Sequence, residues 1–197
     1  MLKTQDNQVR CAWCNDDPIY MAYHDNVWGK PEYDSKQLFE KLCLDGQQAG
    51  LSWLTILKKL DGYHQAYANF DPHTISLFDE DKVEALMLNP NIVRNRLKVK
   101  SIINNAKAYL AYEACHGQGS FSDFLWAFVG GKPIINHFSL PSEVPTETET
   151  SRQMSKQLKK LGFSFVGPTI CYAFMQAVGM VNDHLTTCIS YQGNQSA

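Results

Sequence analysis

DSKQLFEKLCLDGQQAGLSWLTILKKL, running from Asp34 to Leu60, carries the helical period of this chain in its plainest form. Asp34 is placed to cap a helix, with Gln37 three residues on to complete a capping box. Leu38, Phe39, Leu42 and Cys43 then share one face. Gly50, Trp53, Leu54, Leu57 and Leu60 fall at offsets 0, 3, 4, 7 and 10, one face of a further helix. Tyr63, Ala66, Tyr67 and Phe70 extend the pattern, and Pro72 is expected to stop it.

Downstream, Val83, Leu86 and Met87 mark a short helix before Pro90. Val99, Ile102, Ile103, Ala106 and Leu110 mark a longer one that ends near Gly117. Ser120 is placed as the cap of a helix carrying Phe121, Phe124, Leu125 and Phe128. Met154, Leu158 and Leu161 mark another, and Ile170, Cys171, Phe174, Met175 and Val178 the last, ended at Gly179. A half-buried strand needs alternation of period two, and no stretch sustains it. The expected class is all-α. Residues 130–150, with three prolines among Ser, Thr and Glu, read as a surface linker. The first 34 residues lack periodicity but are dense in Cys, Trp, Tyr and His, so something other than an apolar face must hold them down.

At 197 residues the chain fits a single domain, with room for two lobes, and 44% hydrophobic residues supply a sizeable core. The formal net charge is −2, so any nucleic-acid contact must use local basic patches rather than the whole-molecule field. The opening MLKTQDNQVR has no apolar signal core, and no apolar run approaches the roughly 20 residues of a membrane span. A cytoplasmic protein with no membrane partner is expected. There its six cysteines are thiols or metal ligands rather than disulfides.

His184 and Cys188 are four apart, a spacing that on a helix puts both side chains on one face. Cys11 and Cys14 form a C-x-x-C pair near the other terminus, followed by His24. Tetrahedral zinc takes four such ligands. Spacing favours Cys11, Cys14, His184 and Cys188; the rival set is Cys11, His24, His184 and Cys188.

Trp13, Tyr20, Tyr23 and Trp28 fall within sixteen residues, and the block DGQQAGLSW, Asp45 to Trp53, follows the first helix. Flat aromatic faces with a carboxylate suit a flat, electron-poor heterocycle. A cationic ring over Trp or Tyr gains about 0.5–2 kcal/mol, and a charge-assisted hydrogen bond about 1.5–3 kcal/mol.

These residues resemble the DNA-3-methyladenine glycosylase I family of the helix-hairpin-helix glycosylases. The matching segments are RCAW at Arg10 to Trp13, DPIYMAYHDNVWGKP at Asp17 to Pro31, DGQQAGLSWLTILKK at Asp45 to Lys59 and GFSFVGPTICYAFMQAVGMVNDH at Gly162 to His184, then Cys188. The resemblance implies a helical bundle whose N- and C-terminal segments are clasped by one structural zinc on Cys11, His24, His184 and Cys188, leaving Cys14 as an extra thiol. It implies a base pocket walled by Trp13, Tyr20, Tyr23 and Trp53, with Trp28 in support. The base edge would be read by Asp45, where the family carries glutamate, so the carboxylate starts about 1.5 Å short.

The implied activity is hydrolysis of the N-glycosidic bond of 3-methyladenine in alkylated double-stranded DNA by a monomeric enzyme, with the free base as product. Gly50 and Leu51 would wedge the duplex where the base flips out. The hairpin within Leu161 to Thr169, with Gly162 and Gly167, would hold phosphate through backbone amides. Lys159, Lys160 and the run Arg94, Arg96, Lys98 and Lys100 would add charge. Asp183 lies near the aspartate that the wider superfamily uses to assist water. Two other classes would use the same residues: a damage-binding protein that leaves the bond intact, and a zinc-stabilised interaction module whose aromatics are only core.

Overall fold

The computed structural model describes residues 2–3 and 8–191; the tail after Tyr191 lies outside them. Ten α-helices dominate the described residues: α1 (Pro18–Asn26), α2 (Ser35–Gln48), α3 (Trp53–Leu57), α4 (Leu60–Ala66), α5 (Pro72–Ser76), α6 (Glu80–Leu88), α7 (Arg96–His116), α8 (Ser120–Trp126), α9 (Glu149–Lys160) and α10 (Pro168–Ala177). The strands have only two residues each: β1 (Leu2–Lys3) pairs antiparallel with β2 (Val9–Arg10), and β3 (Ile134–Ile135) parallel with β4 (Val181–Asn182). The expected helical class holds.

The periodic runs form where local rules place them. Asp34 caps α2, its side chain accepting from the Gln37 amide at 2.9 Å. Leu38, Phe39 and Leu42 then face the interior with no exposure. The central helix α7 opens on an Asn95 cap, closes at Gly117, and buries Val99, Ile102, Ile103 and Ala106. It packs against α2, α5, α6 and α8, while α10 packs between α9 and α2.

Four local expectations are corrected. The face from Gly50 to Leu60 does not form one helix. Gly50 adopts φ +74°, a left-handed turn, and Ser52 caps α3 afresh by accepting from the Thr55 amide. A break at Lys58 and Lys59 then separates α3 from α4. Pro72 opens α5 rather than ending a pattern; its missing N–H is harmless at a first helical position, where Asp71 caps the Thr74 amide. Ser120 is the first residue of α8, and the cap position belongs to Gly119. Helix α1 was hidden in the segment without period, capped by Asp17 with Pro18 at its start.

Residues 130–150 run along the surface, tied down where Ile134 donates to the Met180 carbonyl at 3.0 Å and Asn136 to the Asn182 carbonyl at 3.1 Å. Among the described residues no helix is long and apolar enough to cross a membrane.

Candidate active site and metal centre

Helix α1 projects Tyr20 and Tyr23 toward Trp13 on the segment before it and Trp53 at the start of α3. Ring centroids lie 5.1 Å apart for Trp13 and Tyr20, 5.0 Å for Trp13 and Trp28, and 5.4 Å for Tyr23 and Trp53. With Asp45 and Gln176 these rings enclose a cavity of about 190 Å³. That is smaller than the roughly 300–1,000 Å³ of drug-sized sites and suits a single flat heterocycle. The structure therefore brings together all four aromatic wall residues, the supporting Trp28, and the acid.

Asp45 does not follow the first helix. It sits inside the last turns of α2 and is 3% exposed. Burial raises its carboxyl above the ordinary value, and the ammonium of Lys41, one turn earlier on the same helix, opposes that rise. Lys41 Nζ donates to Asp45 Oδ1 and stands 3.9 Å from the centre of the Trp53 ring. Burial in turn pulls the Lys41 ammonium below its ordinary value. Asp45 Oδ2 and Trp53 Nε1 are both buried without a hydrogen-bond partner in the protein. A buried acceptor and a buried donor left open beside a cavity await a ligand or water. Lys41 and Gln176 also line this cavity and were not picked out from the sequence, whereas Gln48 lines it from within the block singled out there. The i, i+4 spacing of Lys41 and Asp45 was the available signal.

Cys11, His24, His184 and Cys188 are all buried, and one ligand atom from each lies within 4.8 Å of every other. Cys14, though fully buried, lies outside this cluster and donates to the Asn15 carbonyl. The geometry thus gathers the set implied by the resemblance and not the one that spacing favoured. His184 and Cys188 converge on a turn rather than a helix, the Cys188 amide donating to the Leu185 carbonyl at 2.7 Å. Sulfur–nitrogen separations are 3.5 Å for Cys11 and His184, 3.4 Å for Cys188 and His24, and 3.4 Å for Cys188 and His184. A tetrahedron with zinc–sulfur bonds of about 2.3 Å and zinc–nitrogen bonds of about 2.0 Å has edges of about 3.5 Å. His184 Nε2 donates to the Trp28 carbonyl at 3.3 Å, leaving Nδ1 free for the cluster. A hydrogen bond from Cys11 holds Cys188 well below the ordinary thiol value, and the same bond, with burial, pushes Cys11 up. The donor set fits a tetrahedral zinc.

The other singled-out residues separate. Gly50 and Leu51 form an exposed turn beside the cavity, Leu51 40% exposed. Gly162 and Gly167 lie in the seven-residue connection, residues 161–167, between α9 and α10, with Gly162 at φ +95°. Lys159 and Lys160 are exposed next to it. The basic run of α7 is largely spent within the protein. Arg96 pairs with Glu80 and Glu84, and Lys100 with Glu80. Lys98 is buried and donates to the Gln47 and Ala49 carbonyls at 2.8 and 2.7 Å, closing the C-terminal end of α2. Asp183 is buried and accepts from Tyr172, Gln176 and Asn136 at 2.6, 2.8 and 2.7 Å, the pattern of a structural carboxylate.

A family model described as methyladenine glycosylase matches residues 13–191. The chain is 53% identical over 180 residues to the DNA-3-methyladenine glycosylase of Haemophilus influenzae, which covers 91% of this chain and 96% of that one. It resembles a crystal structure of 3-methyladenine DNA glycosylase I with a TM-score of 0.91 and 51% identity, covering 93% of this chain and all of that one. A structure of 3-methyladenine DNA glycosylase I from Staphylococcus aureus, described as giving the basis of 3-methyladenine recognition, matches with a TM-score of 0.88 and 44% identity over 92% of this chain and 96% of that one. A helical DNA glycosylase with a purine-sized aromatic cavity is the class so defined. The chain belongs to the methyladenine glycosylase family.

Proposed function

We propose that the protein excises 3-methyladenine from alkylated double-stranded DNA, hydrolysing the bond between base and sugar. One observation carries the reading: a cage of indole and phenol rings closed by a buried carboxylate with one oxygen, Asp45 Oδ2, free to accept.

The target base lies within a stacked duplex, so it flips out into the cage. Leu51, exposed on the turn after α2, fills the gap it leaves. Methylation at N3 places a formal positive charge on the adenine, which then leaves as a neutral base without a strong general acid. The ring stacks between Trp13, Tyr20, Tyr23 and Trp53, and its exocyclic amine donates to Asp45. Unmethylated adenine lacks the charge that rings and carboxylate attract, so it is held less well. Water attacks the oxocarbenium-like sugar. Backbone amides of the α9–α10 connection, around Gly162 and Gly167, hold phosphate, as in a helix-hairpin-helix.

Cys11, His24, His184 and Cys188 would hold one zinc ion. These four protein ligands would leave no position open for substrate or water, so the ion would serve as a clasp between the N- and C-terminal segments. The protein acts as a monomeric, cytoplasmic single domain whose two helical lobes flank the base cavity, with residues 130–150 as a surface connection.

Incubation with methylated DNA and chromatography of the released bases tests the reading. Free 3-methyladenine is the expected product. Retention of methylated DNA without release would make the protein a damage binder, and no interaction would leave the aromatics as core.

A further inference from the structure

The Lys41 ammonium lines the base cage. It makes the charge-assisted bond to Asp45 and lies over the Trp53 ring at 3.9 Å, the two contacts the cage offers a positively charged base. Its side chain is 15% exposed and that of Asp45 3%. Lys41 also lines a second cavity, of about 560 Å³, which shares Tyr23 and Trp53 with the cage and whose walls include Glu32 and Glu40.

We infer that Lys41 is the specificity-determining residue of the base cage: a resident cation that leaves Asp45 and Trp53 when a charged base enters, and that sets how strongly a charged base is preferred over a neutral one. The inference rests on the excision reading above. Asp45 and Lys41 together are neutral. A cationic base added beside both leaves an uncompensated positive charge in a dry site, which is unfavourable. The flexible lysine stem can carry the ammonium into the neighbouring cavity toward the carboxylates of Glu40, which also accepts from His64, and Glu32, which accepts from the Tyr33 and Asp34 amides, and the base then inherits the Asp45 carboxylate and the indole face. A neutral purine requires no such exchange, because Asp45 Oδ2 is already open to its amine. Lys41 therefore narrows the gap between charged and neutral bases.

Tryptophan-fluorescence titration with two probes tests this. The 3,9-dimethyladeninium ion is permanently charged; 9-methyladenine differs from it by the N3 methyl group and the charge. Lys41→Met leaves Asp45 unpaired and should tighten the charged probe by about tenfold while moving the neutral probe by about twofold or less. Lys41→Arg should behave as the parent protein. Should the Met variant not fold, Lys41→Gln, which keeps an amide donor for Asp45 without the charge, should show the same sign. Equal changes for both probes, or weaker binding of the charged probe, would overturn the inference. Release of 3-methyladenine from methylated DNA by the parent protein is measured alongside. If it occurs and the selectivity of the Lys41 variants is unchanged, the inference alone fails. If it does not occur, the excision reading fails, and the titrations still decide the role of Lys41.

Discussion

Asp25 Oδ1 lies 2.8 Å from His24 Nδ1, and this contact turns the opposite ring nitrogen of His24 toward Cys188 Sγ at 3.4 Å. Asp25 is itself fixed by Arg10, whose guanidinium donates at 2.9 and 2.6 Å. Burial works against the Asp25 carboxylate, and the bonds from Arg10 and His24 outweigh it, holding the group below its ordinary value. Asp25 thus stays charged and orients the imidazole. Asp25→Ala should weaken metal binding by about 10- to 100-fold, as loss of outer-shell partners does elsewhere. Competition with a chelator of known affinity measures it.

The metal assignment itself predicts one zinc per chain by elemental analysis. His24→Ala should lose the ion, whereas Cys14→Ser should retain it, since Cys14 lies outside the cluster. The reverse result would restore the C-x-x-C pair as ligands. Removing the ion should lower the melting temperature more than any surface substitution, because the cluster joins segments some 160 residues apart in sequence.

At the cage, Asp45→Asn should remove about 1.5–3 kcal/mol of interaction with the charged base, a fall of about 10- to 150-fold in kcat/KM. Asp45→Glu should preserve or raise activity, since the longer side chain reaches further into the cavity. Single-turnover release of 3-methyladenine by the two variants, with circular dichroism to check folding, decides it. Unchanged release by Asp45→Asn would remove this carboxylate from the reaction.

Leu51 offers a test of wedge insertion that separates it from packing. It is 40% exposed on a turn whose Gly50 has open space about it. Leu51→Ala should leave thermal stability nearly unchanged and slow excision from duplex DNA by about tenfold, while leaving excision from single-stranded DNA unaffected. Equal slowing on both substrates would point away from a wedge.

What the chain specifies locally could be read directly. Helices α2, α7, α9 and α10 place apolar residues three and four apart because each such residue meets the same interior surface, and their caps and glycines act within a turn of themselves. Helix α1 escaped because it is only nine residues long and its inward face is made of Tyr20, Tyr23 and His24, amphipathic side chains that line the aromatic cage and the ligand cluster and do not mark an apolar stripe as leucines would. The residue types of the two sites, crowded cysteines and histidines beside crowded rings, were equally visible, and so was the family resemblance they carry.

Tertiary structure brought those residues together in the set that the resemblance implied and that spacing along the chain did not favour. Whether Cys14 or His24 joins Cys11 depends on side-chain direction after a fold that brings residue 24 beside residue 188. Spacing along the chain holds no information on that. The buried Lys41–Asp45 pair, the sealing of α2 by Lys98 and the three bonds that make Asp183 structural arise for the same reason: desolvation, which decides what a charge does, is a property of the packed molecule.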